Sequence, residues 1–353
     1  MAIKRLYIGL VFGGKSNEHE VSIKSARTIF TALNSSNNKK YFITIPVYID
    51  KSGLWWDFKS SESIILDNKK EKSNNFSKKQ QYNKLINIST LNEKIDIWFP
   101  ALHGPNGEDG VIQGMFKLTG KPFVGSGVLG SALGMDKLAM KSIFKTFDLP
   151  QAPYIGLEKK NIKNTKYIQS IIRDINNIIN YPCFIKPANL GSSIGITKAY
   201  SEKELINGID KAATFDERII IEKNIEGREI ECAILGKLSM TASVIGEVNF
   251  QSDWYNYETK YTEGQSKTTI PADLNTEISN KIRILAIQAC QAINAYGLAR
   301  VDFFYQESTQ KVYINEVNTL PGFTNTSMYP MLWEASGLKL EKLVARLIET
   351  AKE

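Results

Sequence analysis

Residues 299–318 read ARVDFFYQESTQKVYINEVN. Two runs rich in Val, Phe, Tyr and Ile flank the polar segment QESTQK, the pattern of a β-hairpin. Arg300 and Asp302 are two residues apart and so point to one face of their strand. Glu316 and Asn318 repeat that spacing on the next strand. Folding about the QEST turn sets Asp302 opposite Glu316, within one residue of register. Val301, Phe303, Ile314 and Val317 are left to pack elsewhere. Two carboxylates, an amide and a guanidinium on one sheet face are costly unless paired or bound to a cation. Hard oxygen donors of this kind suit Mg²⁺, with nucleotide phosphates completing the octahedron. A solvent-exposed ion-pair ladder of Arg300 with Asp302 and Glu316 fits the spacing equally well, so spacing alone does not choose.

Upstream, KPANLGSSIG (186–195) puts a lysine at the end of an apolar strand and follows it with a small-residue loop. Backbone N–H groups of such a loop can wrap phosphate oxygens. The P-loop ending GK[ST] is missing, and a plain turn also fits. Lys137 and Lys260 could add positive charge nearby, although each alone reads as a surface lysine.

Three blocks emerge. In residues 1–135 a strand over Arg5–Phe12 runs into Gly13-Gly14, a helix covers Ser22–Leu33, and strands follow at Tyr41–Ile49 and Ile95–Pro100. Alternating strands and helices predict a parallel α/β layer, whose ligand loops lie at strand C-terminal ends. Gly13-Gly14 and ALHGPNGEDG, which carries His103, occupy such ends. His19 is expected on the helix surface. Residues 136–226 open with an amphipathic helix closed by Pro150. They continue through the 186–195 loop to a helix with a capping-box start, Ser201 and Glu204. Residues 227–353 are β-rich, ending in the hairpin and a helical tail.

The chain has 353 residues, 42% hydrophobic and 23% charged, which excludes wholesale disorder and coiled coil. No run of 18 apolar residues occurs, so no transmembrane helix is expected and the membrane is not a partner. Net charge is +7, from 44 Lys and Arg against 37 Asp and Glu. Much of that excess sits in a Lys/Asn/Ser-rich stretch between Lys59 and Lys94, read as a solvated loop. No Arg-rich or aromatic-interleaved face accompanies it, which argues against nucleic acid; a polyanionic small molecule also suits the charge. Cys183, Cys232 and Cys290 show no metal or disulfide spacing and read as buried reduced thiols of a cytosolic protein. The start MAIKRLYIGLVFGG mimics a signal peptide, but its apolar run is short and lacks a cleavage site, so a buried first strand is expected. A Rossmann-type oxidoreductase is disfavoured because GxGxxG is absent and the hairpin face would go unexplained.

Several motifs in order carry a resemblance. They are GGKSNEHEVS (13–22), LHGPNGEDGVIQG (102–114), GSGVLGSALGMDK (125–137), KPANLGSSIG (186–195), EKNIEGREIECAIL (222–235), YNYETKY (255–261), ARVDFF (299–304) and NEVNTLPGFTNTSMYP (315–330). Together they resemble the ATP-grasp superfamily and, within it, the D-alanine–D-alanine ligase family. The likeness spans nearly the whole chain, and the stretch between Lys59 and Lys94 matches least.

The resemblance implies an α/β, ATP-grasp fold of three α/β domains. An N-terminal Rossmann-like substrate domain (1–135) precedes a central ATP-grasp subdomain (136–226) and a C-terminal one with the metal site (227–353). It implies ligation of two D-alanines through an acyl phosphate, for peptidoglycan precursors, in a cytoplasmic homodimer that uses ATP. Asp302, Glu316 and Asn318 would hold two Mg²⁺ ions, with Mn²⁺ able to substitute. Arg300 and the Gly322 N–H would stabilise the oxyanion. Lys137, Lys186 and Lys260 would contact phosphates. Glu222, Lys223 and Ile225 would line the adenine pocket, Glu229 the ribose, and Trp254 would cover the base. Glu18 would pair with the first D-alanine's ammonium, with Ser192 and Tyr261 closing loops over it and His103 near its carboxylate. Ser327 and the Met328 N–H would take the second carboxylate; the family often has Leu at 328. A D-alanine–D-lactate ligase is the alternative activity. Family members making that depsipeptide replace the Lys-Tyr pair, intact here as Lys260-Tyr261, so an amine nucleophile is expected.

Overall fold

The computed structural model of the chain describes residues 4–66, 88–250 and 266–353. Its N-terminal sheet is parallel, in the order β2-β1-β3, with β1 Leu6–Gly13, β2 Phe42–Ile49 and β3 Ile97–Pro100. As the middle strand, β1 buries Ile8, Leu10, Val11 and Phe12 completely, as a strand covered on both faces must. At its end Gly13 adopts φ +93°, and a Cβ there would lie 2.1 Å from the Ile49 carbonyl oxygen, so only glycine fits. The chain then turns into the helix His19–Leu33, four turns packed back on the sheet.

The second sheet is antiparallel, in the order β4-β7-β5-β6, with β4 Tyr154–Glu158, β5 Cys183–Pro187, β6 Thr197–Ala199 and β7 Arg218–Lys223. Helices Thr165–Asp174 and Glu202–Ala213 supply its core with Ile171, Ile172, Leu205 and Ile209. The capping signal holds in part: Ser201 accepts from the Glu204 N–H, but the Glu204 carboxylate takes the N–H of Tyr200.

The third sheet, in the order β10-β9-β8-β11-β12, comprises β8 Arg228–Gly236, β9 Thr241–Phe250, β10 Ser266–Thr269, β11 Gly297–Gln306 and β12 Lys311–Asn318. Val301, Phe303, Ile314 and Val317 share a core with helix Thr276–Ala292 and with Met140 and Phe144 of helix Lys137–Thr146. The opposite face, through Leu235, Val248 and Leu298, joins helices Met328–Ala335 and Leu340–Thr350 and the N-terminal sheet in another core.

In the hairpin Arg300 pairs with Asn318 and Asp302 with Glu316, and the register shifts beyond Asp302 so that Phe303 pairs with Ile314. Asn315 is thereby the extra residue of a β-bulge. In a regular strand Ile314 and Glu316, two apart, would share a face. The bulge sends Ile314 into the core and turns Glu316 toward Asp302.

Two expectations need correction. The ends of the stretch expected as a solvated loop are helical, Phe58–Leu66 and Ile88–Lys94, with Ser61 and Ile65 of the first buried against the parallel sheet, while the Lys/Asn/Ser-rich run between them lies outside the described residues. His19 is not on the helix surface. It is 1% exposed, with Nδ1 2.5 Å from the Gly14 carbonyl and Nε2 3.1 Å from the Tyr48 hydroxyl, which gives it a structural role beneath the first loop.

Candidate active site

A cleft of about 280 Å³ opens between the second and third sheets, beside the helix Lys137–Thr146. The hairpin face forms part of its wall. Asp302 accepts from Arg300 through both oxygens, Nε and Nη2 each at 2.6 Å, and from Asn318 Nδ2 at 2.9 Å. Arg300 also pairs with Glu231 on β8 at 2.8 Å, and Glu316 with Lys137 at 3.2 Å. Of the expected ladder the Arg300–Asp302 rung forms, Glu316 pairs instead with Lys137, and the group is not solvent-exposed: the side chains of Arg300 and Asp302 are 16% and 14% accessible. It lies within the cleft, where charges interact more strongly than at a free surface.

Lys137 also donates to the Leu190 carbonyl at 2.9 Å, which ties the helix to the small-residue loop. In that loop Ser192 and Ser193 take φ of +53° and +58°. Consecutive left-handed residues other than glycine cost energy, so this conformation is held by its surroundings.

Deeper in the cleft, Glu222 at the end of β7 is sandwiched between two lysines. Its Oε1 lies 2.8 Å from Lys141 Nζ and its Oε2 2.5 Å from Lys186 Nζ. Burial works against the carboxylate, but the two ammonium groups outweigh it and hold its pKa at about 2. Burial likewise opposes the charge on Lys186, and Glu222, Glu316 and Glu229 raise its pKa in net. Lys223, Ile225 and Glu229 line the same end of the cleft.

Loops of the N-terminal sheet approach the small-residue loop without lining the cleft. Glu18 precedes the first helix, and its carboxylate sits so near Gly104 that a Cβ there would lie 2.8 Å from it. A Cβ on Gly191 of the small-residue loop would lie 3.9 Å from the same oxygen. His103 is buried, with Nδ1 donating to the Leu320 carbonyl at 3.0 Å and lying 3.6 Å from Glu108. Its Nε2 contacts Ser25 Oγ at 2.9 Å, and Ser25 accepts the Phe323 N–H at 3.1 Å. Burial lowers the imidazole pKa, but Glu108 and Glu18 raise it above its usual value in net. Nearby, Ser327 precedes helix Met328–Ala335, and its Oγ lies 2.7 Å from Thr324 Oγ1 and close to Gly322.

Of the residues expected in the site, Lys137, Lys186, Ser192, Glu222, Lys223, Ile225, Glu229, Asp302 and Glu316 line one cleft. Arg300 and Asn318 bond to Asp302. Glu18, His103, Gly322, Ser327 and Met328 do not line that cleft; His103 reaches the 319–328 segment through the Leu320 carbonyl, and Ser327 lies beside Gly322. Trp254, Lys260 and Tyr261 lie outside the described residues.

Three residues were not anticipated. Lys141 follows Lys137 by one helical turn, a spacing that places both on one face. Glu231 follows Glu229 by two on a strand, which also signals a shared face. Glu108 sits in an irregular loop, where no periodicity could flag it. The three cysteines are buried and free, and burial lifts the Cys183 thiol to about 11 and Cys232 to about 12.

Comparison with known proteins converges. Family models described as D-ala D-ala ligase N-terminus and C-terminus match residues 7–126 and 143–349. A "D-alanine--D-alanine ligase" of Prochlorococcus marinus (strain NATL1A) is 69% identical over 346 residues, 98% of each chain. One from Synechococcus sp. (strain CC9311) is 49% identical over 98% of each. Among solved structures, the VanG D-Ala:D-Ser ligase from Enterococcus faecalis superposes with TM-score 0.84 at 33% identity, covering 99% of this chain and 100% of that one. The D-alanine-D-alanine ligase from Coxiella burnetii gives 0.80 at 30% identity, covering 98% and 94%.

Proposed function

This chain belongs to the D-alanine–D-alanine ligase family, and we propose from that premise how its cleft carries out the reaction. It is an ATP-grasp enzyme that joins two D-alanines into D-alanyl-D-alanine for peptidoglycan synthesis. A carboxylate oxygen is a poor leaving group. The first D-alanine's carboxylate therefore attacks the γ-phosphate of ATP, giving an acyl phosphate and ADP. The second D-alanine's amine then attacks the acyl carbon, a tetrahedral adduct forms, and inorganic phosphate leaves. The catalytic work is positioning and charge stabilisation.

The triphosphate runs past Lys137, Lys186 and the Leu190–Ser193 backbone, with the adenine between Glu222, Lys223 and Ile225 and the ribose at Glu229. Lys260 adds to the phosphate contacts and Trp254 covers the base. The observation that carries this reading is the Asp302–Glu316 pair across from Lys186, which brings acidic and basic groups together in one nucleotide-sized cleft. Asp302, Glu316 and Asn318 suit two Mg²⁺ ions or Mn²⁺: two carboxylates and an amide are hard oxygen donors, and Asn318 presents its oxygen after an amide flip. Among the described residues no group of three His, Cys, Asp or Glu is placed to hold a metal ion; phosphate and water oxygens would have to complete the shell. Bound there, Mg²⁺ would neutralise phosphate charge.

Glu18 receives the first D-alanine's ammonium, with Ser192 and Tyr261 closing above it. His103 faces its carboxylate. Arg300 and the Gly322 N–H receive the charge of the tetrahedral oxygen. Ser327 and the Met328 N–H hold the second carboxylate. No helix among the described residues is long and apolar enough to cross a membrane. From the family likeness, not from that observation, we place the enzyme in the cytoplasm as a homodimer.

The test is phosphate release from ATP and Mg²⁺ with D-alanine, with L-alanine as control and D-lactate and D-serine offered as alternative second substrates. Release that needs D-alanine alone and yields the dipeptide supports the reading. A depsipeptide product in preference to the dipeptide would overturn it.

A further inference from the structure

We propose that Lys141 is a positioning residue that holds the Glu222 carboxylate as an acceptor toward the base pocket, and thereby sets a preference for 6-amino over 6-oxo purine nucleotides. The proposal rests on the nucleotide reading above.

Lys141 is 1% exposed and Glu222 3%, and each Glu222 oxygen faces one ammonium group. The two lysines are not equivalent. Lys186 stands at the end of β5 beside the small-residue loop and also feels Glu316, so a bound triphosphate draws it away. Lys141 sits on a helix whose start is fixed by Asp136, which accepts the Ala139 N–H at 2.8 Å. It stays on Oε1 while Lys186 leaves Oε2. That freed oxygen then accepts an N–H from the 6-amino group of adenine.

A 6-oxo purine in the same register sets a carbonyl oxygen against an ionised carboxylate. Two buried acceptors without a shared proton are costly, on the order of tenfold or more in affinity. Remove Lys141, and a carboxyl this deeply buried takes up a proton once Lys186 has moved. It then donates to a 6-oxo group, and discrimination falls.

The experiment compares kcat/KM for ATP and inosine triphosphate in D-alanine-dependent phosphate release, together with Kd for ADP and inosine diphosphate. The wild type is expected to favour the adenine nucleotides in both. Lys141→Met should lower both ratios about tenfold, Lys141→Arg should largely keep them, and Glu222→Gln, whose amide both donates and accepts, should lower them. If Lys141→Met weakens both nucleotides by the same factor, the lysine is merely structural and the proposal is wrong. Should that variant fail to fold, unchanged ratios in Glu222→Gln overturn it equally. A wild-type chain that binds neither diphosphate overturns the nucleotide reading itself, whereas tight but indiscriminate binding overturns only the role of Lys141.

Discussion

Asp302 and Glu316 face each other across two antiparallel strands because Asn315 is the extra residue of a bulge between them. Because Asn315 is taken up as a bulge rather than as a regular strand residue, the second carboxylate joins the first instead of following Ile314 into the core. The pair is mostly buried, and the cations around it are Arg300 and Lys137. On the proposed reading, a metal ion and phosphate would take the place of these cations.

Glu316→Gln keeps the shape of the side chain and removes its charge. Turnover should fall by a factor of about 100 or more, with a raised Mg²⁺ requirement, because a neutral amide is a poor substitute for a carboxylate at a hard cation. Steady-state rates over a Mg²⁺ titration check this. Near-normal turnover at saturating Mg²⁺ refutes the metal assignment.

Arg300→Met should lower kcat by about 10²–10³, the cost of losing one oxyanion donor, with KM for ATP changing less. Arg300→Lys should recover only part of the loss, because the fork that spans Asp302 and Glu231 is gone. Equal effects on kcat and on ATP affinity would instead make Arg300 a nucleotide ligand.

His103 titrates above its ordinary 6.5: burial opposes the charge, and the Glu108 hydrogen bond and charge, with Glu18, overcome that opposition. Its stabilisation is full below 6.5 and is lost as pH rises through the elevated folded-state value. Urea denaturation should show stability from this group declining upward from that pH. In Glu108→Gln the imidazole midpoint followed by NMR should move down. An unmoved midpoint contradicts the pairing.

Glu222 behaves with the opposite sign. Its pKa is depressed from 4.5 to about 2, so its stabilisation is present above 4.5 and disappears as pH falls toward 2. Acid titration of unfolding free energy should be steeper in that window for the wild type than for Glu222→Gln. At neutral pH that variant should also be less stable, since two buried lysines lose their counter-charge, a change of about 3–5 kcal/mol. Parallel acid profiles would remove Glu222 from the acid response.

Much of this was legible in the sequence, and the failures have physical reasons. Period-two spacing placed Arg300 with Asp302 and Glu316 with Asn318, because strand side chains alternate strictly. The bulge at Asn315 was not foreseeable from residue types, although two adjacent polar residues, Asn315 and Glu316, interrupt the alternation there. Lysines on amphipathic helices normally snorkel to water, so Lys141 gave no sign of its burial. His19 misled for a similar reason: a polar residue in a first helical turn reads as solvated until the Gly14 carbonyl and Tyr48 are seen to enclose it. Gly13-Gly14 was recognised as a strand-end turn, and the positive φ of both residues accounts for the pair.

The central claim is that this cleft activates a D-alanine carboxylate by phosphorylation before an amine attacks it. D-alanine labelled with ¹⁸O in its carboxylate tests it most directly, by mass analysis of the phosphate released during turnover. One labelled oxygen transferred into each phosphate is the expected result. Unlabelled phosphate accompanying dipeptide formation would contradict the account.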